Sequence, residues 1–144
     1  MSMYINSDNN MIMIRRKDSG VLRLVFERPM NGVFVTFAVK ENKDDPDEDA
    51  LITKSYQCGY DPTISPYEAY FFIQPEDTAD FDIFPKKEKL DFQDFYWMVK
   101  IETNNGLLAD TVIPSGTGAF PKFRVYYGSV PDEDIPNTYG IISR

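Results

Sequence analysis

The amino-acid sequence predicts an all-β protein, a sandwich or barrel of about eight strands. Three observations carry that expectation. Apolar residues fall on every second position in four separate segments, the period of a half-buried strand. β-Branched and aromatic residues dominate those segments. Prolines at positions 46, 62, 66, 75 and 85 interrupt the middle of the chain, so no long helical period survives there.

The elements follow in order. Residues 1–10 are rich in Ser, Asn and Asp and read as a loose segment. Met11–Arg16 is a first, weaker strand. Leu22, Leu24 and Phe26 alternate with Arg23, Val25 and Glu27. Arg28-Pro29-Met30-Asn31-Gly32 then forms a turn into Val33–Lys40, where Val33, Val35, Phe37 and Val39 share a face. An acidic loop, Asp44–Asp49, leads to a strand over Leu51–Gln57, and Tyr70–Gln74 is the next. Glu76–Phe84 has room for a short helical turn, with Asp77 or Thr78 near its start, before Pro85 stops it. Phe95, Trp97, Val99 and Ile101 mark the strongest strand, Phe95–Thr103, with Lys100 and Glu102 opposite beside Tyr96 and Met98. Asn105-Gly106 accepts the positive φ of a type I′ turn and predicts a hairpin into Leu107–Ile113. Phe123, Val125 and Tyr127 form the last strand, and residues 128–144 read as a tail.

Composition bounds the function. The 144 residues fit one domain, placed at residues 11–127, with a core large enough to need no disulfide or metal. The 15 Lys and Arg stand against 23 Asp and Glu, a net charge of −8. That balance disfavours nucleic acid, whose phosphates demand a basic surface, and anionic membranes. The absence of histidine removes the commonest general base and metal ligand. A single cysteine, Cys58, forms no internal disulfide and builds no thiolate zinc site. The longest apolar runs, Ala69–Ile73 and Phe95–Val99, are far short of the ~20 residues of a membrane helix. No signal peptide is expected, because Met1–Asn10 is polar and Arg15-Arg16-Lys17 follows rather than precedes the apolar Met11–Ile14.

Several clusters invite chemistry. Asp44-Asp45-Pro46-Asp47-Glu48-Asp49 suggests calcium, yet counting from Asp45 places Ala50 where the turn glycine belongs and Tyr56 where the distal Glu belongs. A solvated hairpin loop is the expectation. Asp80, Asp82, Asp91 and Asp94 contain no spacing that defines a glycosidase pair. Ser115-Gly116-Thr117-Gly118 lacks the lysine and helix of a phosphate loop. Cys58 has no histidine to activate it and reads as buried filler. Arg15-Arg16-Lys17 and Lys86-Lys87-Glu88-Lys89 are basic patches that read as solvated loop charge, with docking to an acidic partner as the other reading. Phe71, Phe95 and Trp97 are expected in the core. Tyr67, Tyr70, Tyr96, Tyr126 and Tyr139 are the candidates for exposure. No catalytic, cofactor or metal residue is assigned.

The order of elements resembles a known family. Met11-Ile12-Met13-Ile14-Arg15-Arg16-Lys17-Asp18 leads into the strand pair Leu22–Lys40, then Ala50-Leu51-Ile52-Thr53-Lys54-Ser55 and Pro75-Glu76-Asp77-Thr78. The aromatic strand Phe95–Glu102, the Asn105-Gly106 hairpin and Pro121-Lys122-Phe123-Arg124-Val125-Tyr126 close the domain. This pattern is similar to the N-terminal domain of phage baseplate upper proteins and related phage or prophage tail and fibre proteins. The resemblance implies an immunoglobulin-like antiparallel β-sandwich without catalytic residues, which attaches a receptor-binding or fibre module to the particle. Members of that family continue into a coiled coil or fibre, whereas this sequence stops at Arg144 and carries a longer, more charged Phe81–Phe92. A stand-alone adaptor, decoration protein or minor baseplate component is the implied variant.

The expected function is therefore structural and non-enzymatic. The partners are other virion proteins and further copies of the chain, and the location is the virion after synthesis in the host cytoplasm. Tyr139, Ile141 and Ile142 form an apolar end on a polar tail and are the candidate docking residues. The alternative is a carbohydrate-binding or adhesion module with an exposed aromatic face, which a buried Trp97 would weaken.

Overall fold

The computed structural model describes residues 3–6, 9–81, 92–103, 108–114, 118–127 and 139–142, with residues 108 and 139–142 described through their backbone. Two β-sheets pack face to face, so the all-β sandwich holds. The larger sheet runs β1 (Met3–Asn6), β2 (Met11–Arg15), β9 (Lys122–Tyr126), β7 (Phe92–Thr103), β4 (Phe34–Lys40) and β5 (Ile52–Gln57), and β8 (Leu108–Ile113) also pairs with β7. The smaller sheet is β10 (Tyr139–Ile142), β3 (Gly20–Phe26) and β6 (Glu68–Ile73).

Alternation builds the core between them. Leu22, Leu24 and Phe26 of β3 and Ala69, Phe71 and Ile73 of β6 face Val35, Phe37 and Val39 of β4 and Phe95, Trp97 and Val99 of β7. The Phe37 ring lies 5.7 Å from Phe71 across the two sheets and 5.7 Å from Trp97 within its own. The Trp97 indole reaches the core's end, where Nε1 donates to the Asn10 carbonyl at 2.9 Å.

Long β7 organises the larger sheet. One of its edges pairs with β4. The other pairs with β9 through Phe92–Tyr96 and with β8 through Val99–Thr103, with a register shift at Val99/Lys100. Two ladders are parallel, β2 with β9 and β10 with β3, where antiparallel pairing was expected throughout. A parallel neighbour requires a long crossover. Here nearly the whole sandwich lies in sequence between β2 and β9.

The first residues correct the expectation of a loose segment. Met3–Asn6 is a strand paired with β2, and Met3 and Ile5 are buried. Asn9 and Asn10 are turn chemistry: Asn9 Oδ1 accepts from the Met11 amide at 3.0 Å, and Asn10 adopts φ 57°. The described end of the tail is also a strand, β10. The helix is shorter and earlier than predicted, at α1 (Pro75–Thr78). The Gln74 amide donates to Asp77 Oδ2 at 2.7 Å, so Asp77 closes the first turn from inside it. The turn at residues 28–32 is present, with Gly32 at φ 73°, and its Met30 is buried. The Asn105-Gly106 turn lies outside the described residues.

Candidate docking surface

The outward face of the smaller sheet follows from the same alternation that fills the core. Val21, Arg23 and Val25 of β3 point away from it and stand opposite Phe72, Tyr70 and Glu68 of β6. The centre is polar and self-satisfied. Arg23 donates to Glu68, and Tyr70 Oη donates to Glu68 Oε2 at 2.6 Å. The Tyr70 hydroxyl and then the Arg23 guanidinium hold the Glu68 carboxyl below its usual range, and the same bond raises the Tyr70 phenol. The ends are apolar. Phe72 is 58% exposed next to Val21, and Tyr67 is exposed just before β6 begins. Tyr56 of β5 meets Tyr70 edge-on at 6.1 Å and braces the sheet from the neighbouring edge.

The predicted docking residues sit on this same sheet. In the parallel ladder Tyr139 is the register partner of Arg23, Ile141 of Val25 and Ile142 of Phe26. Sequence placed them on a free tail, whereas the backbone places them along the edge of β3.

The outward face of the larger sheet is occupied differently. The Arg124 guanidinium binds Asp94 through two bonds, 2.7 Å from Nε and 3.1 Å from a terminal nitrogen, and lies 3.9 Å over the Phe92 ring. The Asp94 bond raises the Arg124 pKa, so the guanidinium keeps its charge. Lys122 approaches the same carboxylate at 3.6 Å. Beside them a groove of about 350 Å³ is lined by Asn9, Met11, Ala119, Phe120, Pro121 and the two cations. Further along, Asp47 reaches over the sheet to Lys40 at 2.6 Å and Lys100 at 2.8 Å. The bonds from Lys100 and then Lys40 pull the Asp47 carboxyl down to about 2. A hollow of about 150 Å³ lies under this clasp, between Thr36, Ala38, Thr53, Met98, Lys100 and Glu102.

These contacts settle the roles of several predicted clusters. The acidic loop contains a 3₁₀ turn at Asp47–Asp49, and Asp47 is engaged with lysines. Among the described residues, no group of three or more Cys, Asp or Glu side chains is placed to hold a metal ion. Cys58 is buried and its thiol donates to the Glu68 carbonyl at 3.3 Å; burial pushes it up to about 11, so it stays protonated at neutral pH. Arg16 donates to the Ala79 carbonyl from two nitrogens, and the Lys17 amide donates to Thr78 Oγ1 at 2.8 Å. Arg16 and the Lys17 backbone therefore lock the end of α1, while Arg15 and Lys17 are exposed, as the reading of solvated charge expects. Trp97, Phe71 and Phe95 are core, as expected, with Trp97 1% exposed. Tyr126 corrects its expected exposure. It is buried, with its ring 5.5 Å from Phe92. Asp82, Asp91, residues 86–89 and residues 115–117 lie outside the described residues.

Phe72 and the Arg23–Glu68–Tyr70 cluster were not singled out from sequence. The signal was present within the apolar run 69–73. Ala69, Phe71 and Ile73 share one parity, and Tyr70 and Phe72 have the other. Among the described residues, no helix is long and apolar enough to cross a membrane. Comparison with protein-family models, curated proteins and solved structures finds no match.

Proposed function

We propose that this chain is a non-enzymatic structural component of a phage or prophage particle, a β-sandwich that docks on other virion proteins and on its own copies. The observation that carries the docking role is the outward face of the smaller sheet. It exposes Phe72 and Tyr67 around a centre whose charges are already paired. Exposed aromatics beside satisfied polar groups favour protein contact, because they bury area without stranding a charge. The order of strands from Met11 to Tyr126, with its likeness to baseplate upper proteins, supports placing that contact in a virion. The net charge of −8 keeps a many-copy component dispersed until assembly. The carbohydrate-binding alternative is weaker, because Trp97 is committed to the core.

The virion role is tested on particles purified by density gradient from the producing culture. The chain should be found in them by mass spectrometry at a fixed ratio to the major structural proteins. Particles that lack it would overturn the reading.

A further inference from the structure

The edge of β3 is completed from a distance. β9 ends at Tyr126, in the larger sheet, and the next described strand, β10, starts at Tyr139 on the smaller one. Tyr127 and Tyr139 are 12 residues apart, which allows a reach of up to about 40 Å. Without β10 the smaller sheet would be a two-stranded ribbon of β3 and β6 with an open edge on β3. β10 pairs with that edge through a ladder of four residues: Tyr139↔Arg23, Gly140↔Leu24, Ile141↔Val25, Ile142↔Phe26.

We infer that the edge of β3 is a strand-acceptor slot that also takes residues 139–142 of a second copy of this chain. The same segment in trans makes the same four pairings in the same register. Exchange therefore costs no contact, and local concentration decides between the two arrangements. Tyr139, Ile141 and Ile142 supply the β-branched and aromatic side chains that suit an added strand. The inference concerns self-association alone and holds whether or not the chain belongs to a virion.

The test mixes two single variants, Val25→Cys and Ile141→Cys, at high protein concentration with a short bis-maleimide. Buried Cys58 stays in place, and each variant alone is the control. The double variant V25C/I141C reports the pairing within one chain. Exchange predicts a product of twice the chain mass in the mixture, above the level in either control and rising with concentration. No interchain product in the mixture overturns the inference, whether or not the double variant cross-links internally. If either single variant loses its cooperative thermal transition, Arg23→Cys with Tyr139→Cys reads another pair of the same register, two residues along the strand. A negative result leaves the virion reading intact, since that reading is tested on particles.

Discussion

The two sheets of this sandwich hold their outward faces differently, although the larger one also exposes Phe34 at the start of β4. On the larger sheet, charge is clasped across strands. Asp94 holds Arg124 and Lys122, and Asp47 holds Lys40 and Lys100. Lys40 is thereby only 5% exposed, with its ammonium satisfied by Asp47 and the Asp45 carbonyl. On the smaller sheet one ion pair occupies the middle, and the ends are left apolar around Phe72, Val21 and Tyr67. We read the difference as that between a scaffold and the proposed contact surface. Seven strands and the aromatic core make up the first, and three strands with an edge supplied by β10 make up the second.

The comparison breaks first where the sheets meet. Phe37→Ala removes the ring that touches Phe71, Trp97 and Phe123, and should cost about 3–5 kcal/mol in denaturant unfolding. A loss below about 1 kcal/mol would mean that the sheets do not share this core. Gly20→Ala tests the seam between β3 and β1. A Cβ there would sit 2.5 Å from Met3 Cβ and Sδ, so one strand must shift, at about 1–3 kcal/mol. Unchanged stability would show that Met3 is not held against β3.

Asp47→Asn probes the clasp. The folded-state carboxyl is depressed from 3.8 to about 2. Its contribution is thus complete above pH 3.8 and is lost as pH falls towards 2. Because Asp47 is largely solvent-exposed, screening keeps the effect to roughly 0.3–1 kcal/mol. Urea midpoints at pH 6 should differ between wild type and variant, and the gap should close near pH 2. A gap that persists there would assign the difference to something other than the ion pairs. Phe72→Glu should change stability by less than about 0.5 kcal/mol, since the side chain is 58% exposed, yet it should weaken self-association seen by sedimentation.

Most of the scaffold was legible because period two survives wherever one face is buried. The strands at 22–26, 34–40, 95–103 and 122–126 are those in which the alternation is plain. The two ends were missed for different reasons. Met3 and Ile5 alternate correctly, but the Asn-rich turn after them reads as disorder when only composition is weighed. β10 has four residues and finds its partner more than a hundred positions away, and no local pattern encodes such a pairing. The proposed contact surface was half legible. Tyr139, Ile141 and Ile142 stood out as apolar residues in a polar stretch. Phe72 was hidden in a continuous apolar run, where face can be assigned only once the neighbouring strand is known. The Asp47 clasp was invisible, because it joins residues 47, 40 and 100 through the sheet's register.

The smaller sheet is the proposed docking face. Light-scattering chromatography of the wild type, Phe72→Glu and Lys122→Glu, each across a range of concentrations, tests it most directly. The predicted result is a discrete assembly for the wild type and for Lys122→Glu, and a lighter species for Phe72→Glu. A wild type that stays monomeric at every concentration would contradict the account, as would a Lys122→Glu variant that falls apart while Phe72→Glu assembles.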